Sequence, residues 1–155
     1  MKSIAQKELN DLLESWGNGI ISISDAYNAK AEYKEMALDF VQSKYCFDNG
    51  PLLFKPTMAS EEQFRGDLDS TLSYFIGGNS KYPEDQGFAL RNWSAVRFDT
   101  FHTKIFNDIA ICMGNYFFTN HDGETTKVEY SIGFKKDLTG KIKINLHHSS
   151  FPYSP

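Results

Sequence analysis

The chain has 155 residues, 41% of them hydrophobic and 15% aromatic, and a formal net charge of −4. A chain of this length buries roughly two-thirds of the surface it exposes when unfolded, which is enough for one core, so a single domain over residues 1–155 is expected. The acidic balance, with no cluster of Lys and Arg among aromatics, argues against a nucleic-acid partner, and no apolar run approaches the roughly 20 residues of a membrane span.

In residues 4–16, Ile4, Ala5, Leu9, Leu12, Leu13 and Trp16 recur at helical spacing. Gly17-Asn18-Gly19 offers a stop, while Ile20, Ile21, Ile23, Ala26 and Tyr27 argue for a bent continuation. A second helix is expected over 29–45, with Ala29, Tyr33, Met36, Ala37, Phe40 and Val41 on one face, ended by Asp48-Asn49-Gly50-Pro51. Residues 52–55 read as a short strand closed by Pro56. Residues 60–76 return to helix, capped at Ser60 and ended by Gly77-Gly78-Asn79. Residues 80–87 read as a loop.

After Gly87 the period becomes alternating. Strands are expected over 88–105, with a bend in the middle, and over 109–119, 127–135 and from Ile142 onward. Turns at Asn120-His121-Asp122-Gly123 and Asp137-Leu138-Thr139-Gly140 separate the last three. Helices first and a meander of long strands last is the signature of an α+β domain with helices on one side of a sheet.

Cys46 and Cys112 share no Cys-x-x-Cys spacing and are too few for a disulfide framework or a four-cysteine zinc site, so they read as buried thiols. No metal and no cofactor are expected. Lys7 and Glu8 interrupt the N-terminus too early for a signal peptide. The chain as written therefore reads as cytoplasmic, with a periplasmic location open if a leader has been trimmed.

Three short motifs carry a resemblance: Leu53-Phe54-Lys55-Pro56, the segment from Asp108 to Gly123 with Ala110 and Cys112, and the tail His148-Ser149-Ser150-Phe151-Pro152. In this order they resemble the nuclear transport factor 2-like superfamily. Within it they are most similar to the calcium/calmodulin-dependent protein kinase II association domain and its bacterial, SnoaL-like relatives. The resemblance implies a cystatin-like cone, with N-terminal helices packed on a strongly curved antiparallel sheet, a pocket inside the cone, and a homodimer or larger homo-oligomer. The arginines that line the kinase domain's pocket are matched here by Tyr116 and Ile132, so that cationic pocket is not implied. The strings ending in HHSS-x-PY and containing LFKPT and MGNYFFT are also similar to sequences that carry the name phosphoribosyl-AMP cyclohydrolase. That zinc- and magnesium-dependent chemistry needs thiolate ligands and an aspartate cluster, which these residues do not supply.

Strict alternation places His148 on one face with Ile142, Ile144 and Leu146, looking into the concave interior, while the adjacent His147 points away. The bland alternative is a histidine satisfied by Tyr or Ser hydroxyls in the wall. Tyr116 and Tyr130 line the same hollow, or stand as core tyrosines. Trp93, Arg97 and Asp99 alternate on one strand as an aromatic, charged rim for a planar or anionic ligand, or as a solvated face or oligomer contact. Asp99 with His148 is a candidate acid/base pair. Three readings follow: a small-ligand-binding, self-associating module; a small enzyme of isomerase, cyclase or hydrolase type using a His/Tyr/carboxylate set; and an oligomerisation domain with a filled interior. No motif demands an acid/base set, which favours the first.

Overall fold

The computed structural model describes residues 2–155. The apolar stripe does not stop at Gly17 or Gly19 but runs on as one helix, α1 (Gln6–Asn28), burying Leu9, Leu12, Leu13, Trp16, Ile20 and Ile23. The glycines serve close approach, not a break. A Cβ on Gly17 would lie 3.2 Å from the Val96 side chain, and one on Gly19 would lie 2.5 Å from the Phe40 ring. The second helix, α2 (Tyr33–Lys44), is shorter than its apolar pattern and buries Ala37, Phe40 and Val41.

After the short strand β1 (Leu53–Lys55) the chain runs as a loop where a helix was expected from Ser60. The third helix, α3 (Leu68–Ile76), starts instead where Asp67 accepts from the Ser70 N–H at 2.8 Å, a side-chain N-cap. Ser60-Glu61-Glu62 has the composition of a helix start, but its N–H groups are met from outside. The Glu84 carboxylate accepts from Ser60 (2.7 Å), Glu61 (3.0 Å) and Glu62 (2.8 Å), so these donors need no helical or capping partner. Beside them the buried Arg65 makes a bidentate pair with Asp85 at 2.7 and 2.8 Å, and Asp85 also accepts from the Ser73 hydroxyl at 2.6 Å. Loop 77–87 thereby clamps segment 56–67 to α3.

A single 3₁₀ turn (Phe88–Leu90) leads into β2 (Trp93–Phe106), β3 (Ile109–Asn120), β4 (Thr125–Lys136) and β5 (Ile142–Ser150). The sheet order is β1-β5-β4-β3-β2, with β1 parallel to β5 and every other pair antiparallel. The helices pack on the inner face of this curved, open sheet, giving the α+β cone. Both cysteines are buried and free; burial pushes the Cys112 thiol up to about 12.

Three register shifts decide which side chains face the helices. In β2 the pairing skips Ser94 and Phe101. In β5 it skips Asn145, because Phe134 pairs with Ile144 while Gly133 pairs with Leu146. Each extra residue exchanges inside for outside in the strand beyond it. Glycines sit opposite two of these bulges. A Cβ on Gly114 would collide with the Asp99 carbonyl and the backbone at Thr100 and Phe101, and one on Gly133 would lie 2.9 Å from the Leu146 Cβ.

Candidate functional site

The Asn145 bulge turns His147, not His148, toward the interior: His147 is 2% exposed and Ser149 follows it inward, whereas His148 is exposed. Opposite them, β3 presents Tyr116, also 2% exposed. His147 Nε2 lies 3.1 Å from Tyr116 Oη and 3.1 Å from Ser149 Oγ, and the two hydroxyls are in short hydrogen-bonding contact with each other. On the other side of the ring, Nδ1 lies 3.0 Å from Tyr45 Oη, which receives the Trp16 indole N–H at 3.0 Å.

This polar cluster forms one wall of a small, nearly filled cavity of about 10 Å³, room for about one water molecule. The other walls are Trp16, Phe54, Pro56, Phe75, Phe88, Tyr74 and Thr57. Thr57 sits on the segment held by the Arg65–Asp85 clamp and lines the cavity alongside Tyr74 and Tyr116. Burial dominates the electrostatics. Removing His147 from water disfavours its imidazolium and lowers the pKa to about 3, and the neighbouring His148 adds to the shift. The same desolvation pushes the Tyr116 hydroxyl up, against the opposing hydrogen bond from Ser149. Near neutrality the cluster is therefore uncharged: one neutral imidazole, two hydroxyls and a third across the cavity.

Of the expected site residues, Tyr116 lines this cavity and Tyr130 packs beside it, with ring centroids 5.0 Å apart. The Tyr130 hydroxyl turns away to Thr100 at 2.5 Å. His148 does not look inward, because alternation counted from Ile142 fails at the bulge. It lies with Tyr130 and Ser131 along a separate outer depression. The rim of Trp93 and Arg97 does not form either. The bulge at Ser94 sends Trp93 into the core, donating to the Phe88 carbonyl at 2.7 Å, while Arg97 lies outside over the Phe117 ring, 4.3 Å from its centroid. Asp99 on β2 and His148 on β5 are three strands apart, about 14 Å at 4.8 Å per strand, so they are no acid/base pair. Sequence reasoning missed His147, Ser149, Thr57, Tyr45 and Trp16 as site residues. The available signal was Gly133, a glycine inside an alternating strand, which marks a bulge or a close backbone approach. Among the described residues no group of three or more His, Cys, Asp or Glu side chains is placed to hold a metal ion, and no helix is long and apolar enough to cross a membrane.

A family model described as metal-independent carbonic anhydrase matches residues 7–151. A metal-independent carbonic anhydrase from Nostoc sp. (strain PCC 7120) is 37% identical over 155 residues, covering 98% of this chain and 76% of the relative. The crystal structure of a cyanobacterial iota-carbonic anhydrase complexed with bicarbonate superposes with a TM-score of 0.95 at 36% identity, covering 99% of this chain and 95% of that one. A calcium/calmodulin-dependent protein kinase II association-domain protein from Xanthomonas campestris, at 19% identity, has a TM-score of 0.67 and covers 100% of this chain and 97% of its own. At that identity it shows the shared nuclear transport factor 2-like fold.

Proposed function

This chain belongs to the metal-independent carbonic anhydrase family, and we propose that it interconverts carbon dioxide and bicarbonate in the cavity beside His147. The observation that carries this reading is the meeting of His147 Nε2, the Tyr116 hydroxyl and the Ser149 hydroxyl within 3.1 Å on one wall of an otherwise aromatic cavity. Carbon dioxide is small and has no net charge, so rings of Trp16, Phe54, Phe75 and Phe88 are suitable walls for it. Bicarbonate carries charge on its oxygens and needs donors, which the free hydroxyl hydrogen of the Tyr116–Ser149 pair and the Thr57 hydroxyl on the cavity wall supply.

As the oxygen of water bonds to the carbon of carbon dioxide, one C=O electron pair moves onto its oxygen. Hydroxyl donors already aimed at that oxygen, in a site with little water, stabilise the developing charge without reorganising. The attacking water must also lose a proton. A ring whose pKa is about 3 does not hold that proton near neutrality, so it passes along the hydroxyls. One hydroxyl oxygen accepts from water while its own hydrogen moves to the next oxygen, and the last hydrogen of the chain goes to the former C=O oxygen. Carbonic acid forms with no protein group left charged, and it gives its proton to buffer to become bicarbonate. This reading keeps the small-ligand binding favoured from sequence and replaces the alternative there, an enzyme of isomerase, cyclase or hydrolase type, with a hydration catalyst.

The test is stopped-flow carbon dioxide hydration with a pH indicator, on protein treated with chelator. Rates above buffer are expected, with Ser149→Ala lowering turnover about 100- to 1,000-fold, the usual loss for one oxyanion donor. A buffer rate from folded protein would overturn the reading.

We further propose that the chain self-associates through the outer face of β2 and β3. There Phe106, Ile111 and Met113 stand out from the sheet, with Phe101 at its bulge, all at least 45% exposed. A contiguous apolar patch on a sheet face is the kind of surface that soluble proteins cover. Light scattering should give a dimer or larger species for the unaltered chain and a monomer for the double substitution Ile111→Lys, Met113→Lys. A monomer before substitution would rule this out.

A further inference from the structure

One donor-only group fixes the direction of every hydrogen bond around His147. The Trp16 indole N–H cannot accept, so Tyr45 Oη accepts from it at 3.0 Å. The hydrogen of Tyr45 then needs another acceptor, and the one within reach is His147 Nδ1 at 3.0 Å. Leaving that hydrogen unpaired in a buried site would forfeit a hydrogen bond with no water to replace it. Nδ1 therefore carries the lone pair. The buried ring is neutral, so its single proton is on Nε2 and is donated to Tyr116 Oη or Ser149 Oγ.

The position of that proton sets what the cavity wall offers. With Nε2–H, the ring donates into the Tyr116–Ser149 pair, and the contact between the two oxygens uses one hydroxyl hydrogen. The second hydroxyl hydrogen has no partner left in the cluster and is free for the cavity. With the other tautomer, Nε2 would take one hydroxyl hydrogen and the oxygen–oxygen contact the other. The wall would then show only lone pairs, which repel a bicarbonate oxygen.

We propose that Trp16 and Tyr45 are positioning residues: through Tyr45 Oη they hold His147 in the Nε2–H tautomer, so that the Tyr116–Ser149 pair presents a hydroxyl hydrogen to a bicarbonate oxygen. This rests on the carbon dioxide–bicarbonate reading of the cavity, but its first test does not need activity.

Nitrogen-15 spectra of histidine-labelled protein near neutral pH, with the His147 signals assigned by their loss in His147→Gln, should show an unprotonated Nδ1 and a protonated Nε2. An Nδ1–H ring overturns the inference even if the protein hydrates carbon dioxide. An Nε2–H ring in a protein that neither binds carbon-13 bicarbonate nor hydrates carbon dioxide supports the tautomer assignment and overturns the functional reading beneath it. In Tyr45→Phe, with folding checked by thermal melting, the Nδ1 signal should shift and bicarbonate should bind about 10-fold more weakly, the equivalent of one lost hydrogen bond. Unchanged ring signals together with unchanged bicarbonate affinity would overturn the role of Tyr45.

Discussion

Replacing Tyr116 by Phe removes one oxygen and keeps the ring. Its nearest aromatic neighbours are Phe118 and Tyr130, with centroids 4.7 and 5.0 Å away, and these contacts survive the change. His147 Nε2 keeps Ser149 Oγ at 3.1 Å, so no buried donor on the imidazole is left without a partner. Folding stability should therefore change by about 1 kcal/mol or less, the net value of one neutral hydrogen bond. Turnover is a different matter. If the hydroxyl donates to the oxygen where charge develops, its loss removes about 2.7–4 kcal/mol of transition-state stabilisation, or about 100- to 1,000-fold in rate. Thermal unfolding and stopped-flow carbon dioxide hydration on the same preparation separate the two effects. A variant that melts near the unaltered protein yet hydrates carbon dioxide within about twofold of it, a difference under 0.5 kcal/mol, would remove Tyr116 from the reaction.

The pH dependence of stability has a definite sign. Above about pH 6.5 neither the folded nor the unfolded state protonates His147. Between 6.5 and about 3 only the unfolded state does, so this residue costs stability as pH falls, by about 1.4 kcal/mol per pH unit. Denaturant titrations of His147→Gln from pH 7 to 4 should show a shallower acid limb than the unaltered chain, and identical limbs would contradict the buried neutral ring. Asp85→Ala takes the bidentate carboxylate from the fully buried Arg65 and leaves it only Glu84 at 3.8 Å; a loss of about 3–5 kcal/mol is expected in chemical denaturation. Gly114→Ala forces a Cβ against the backbone of the β2 bulge at Phe101, and overpacking of this kind costs about 1–3 kcal/mol, read as a lowered melting temperature.

The order of elements was legible because it depends on local chemistry. Apolar residues at helical spacing from Leu9 to Ile23 buried one stripe, Asp-Gly and Thr-Gly turns separated β3, β4 and β5, and alternation from Val128 to Phe134 placed those residues inside. Helix ends were less legible. Ser60-Glu61-Glu62 has the composition of a helix start, but Glu84, more than twenty residues away, satisfies its amides, and no local rule contains that partner.

The sequence by itself determined that long strands follow helices and that Tyr130 shares one strand face with Val128, Ile132 and Phe134. Each of these follows from spacing within one element. Only the tertiary structure decided which histidine faces the cavity, because one unpaired residue at Asn145 exchanges the two sides of β5, and that bulge exists only in the pairing of β5 with Gly133 and Phe134 of β4. The same holds for the bulge at Ser94, which parts Trp93 from Arg97. Side-chain alternation is a property of a strand, whereas its phase relative to the core is a property of the sheet, and the chemistry of this cavity depends on the phase.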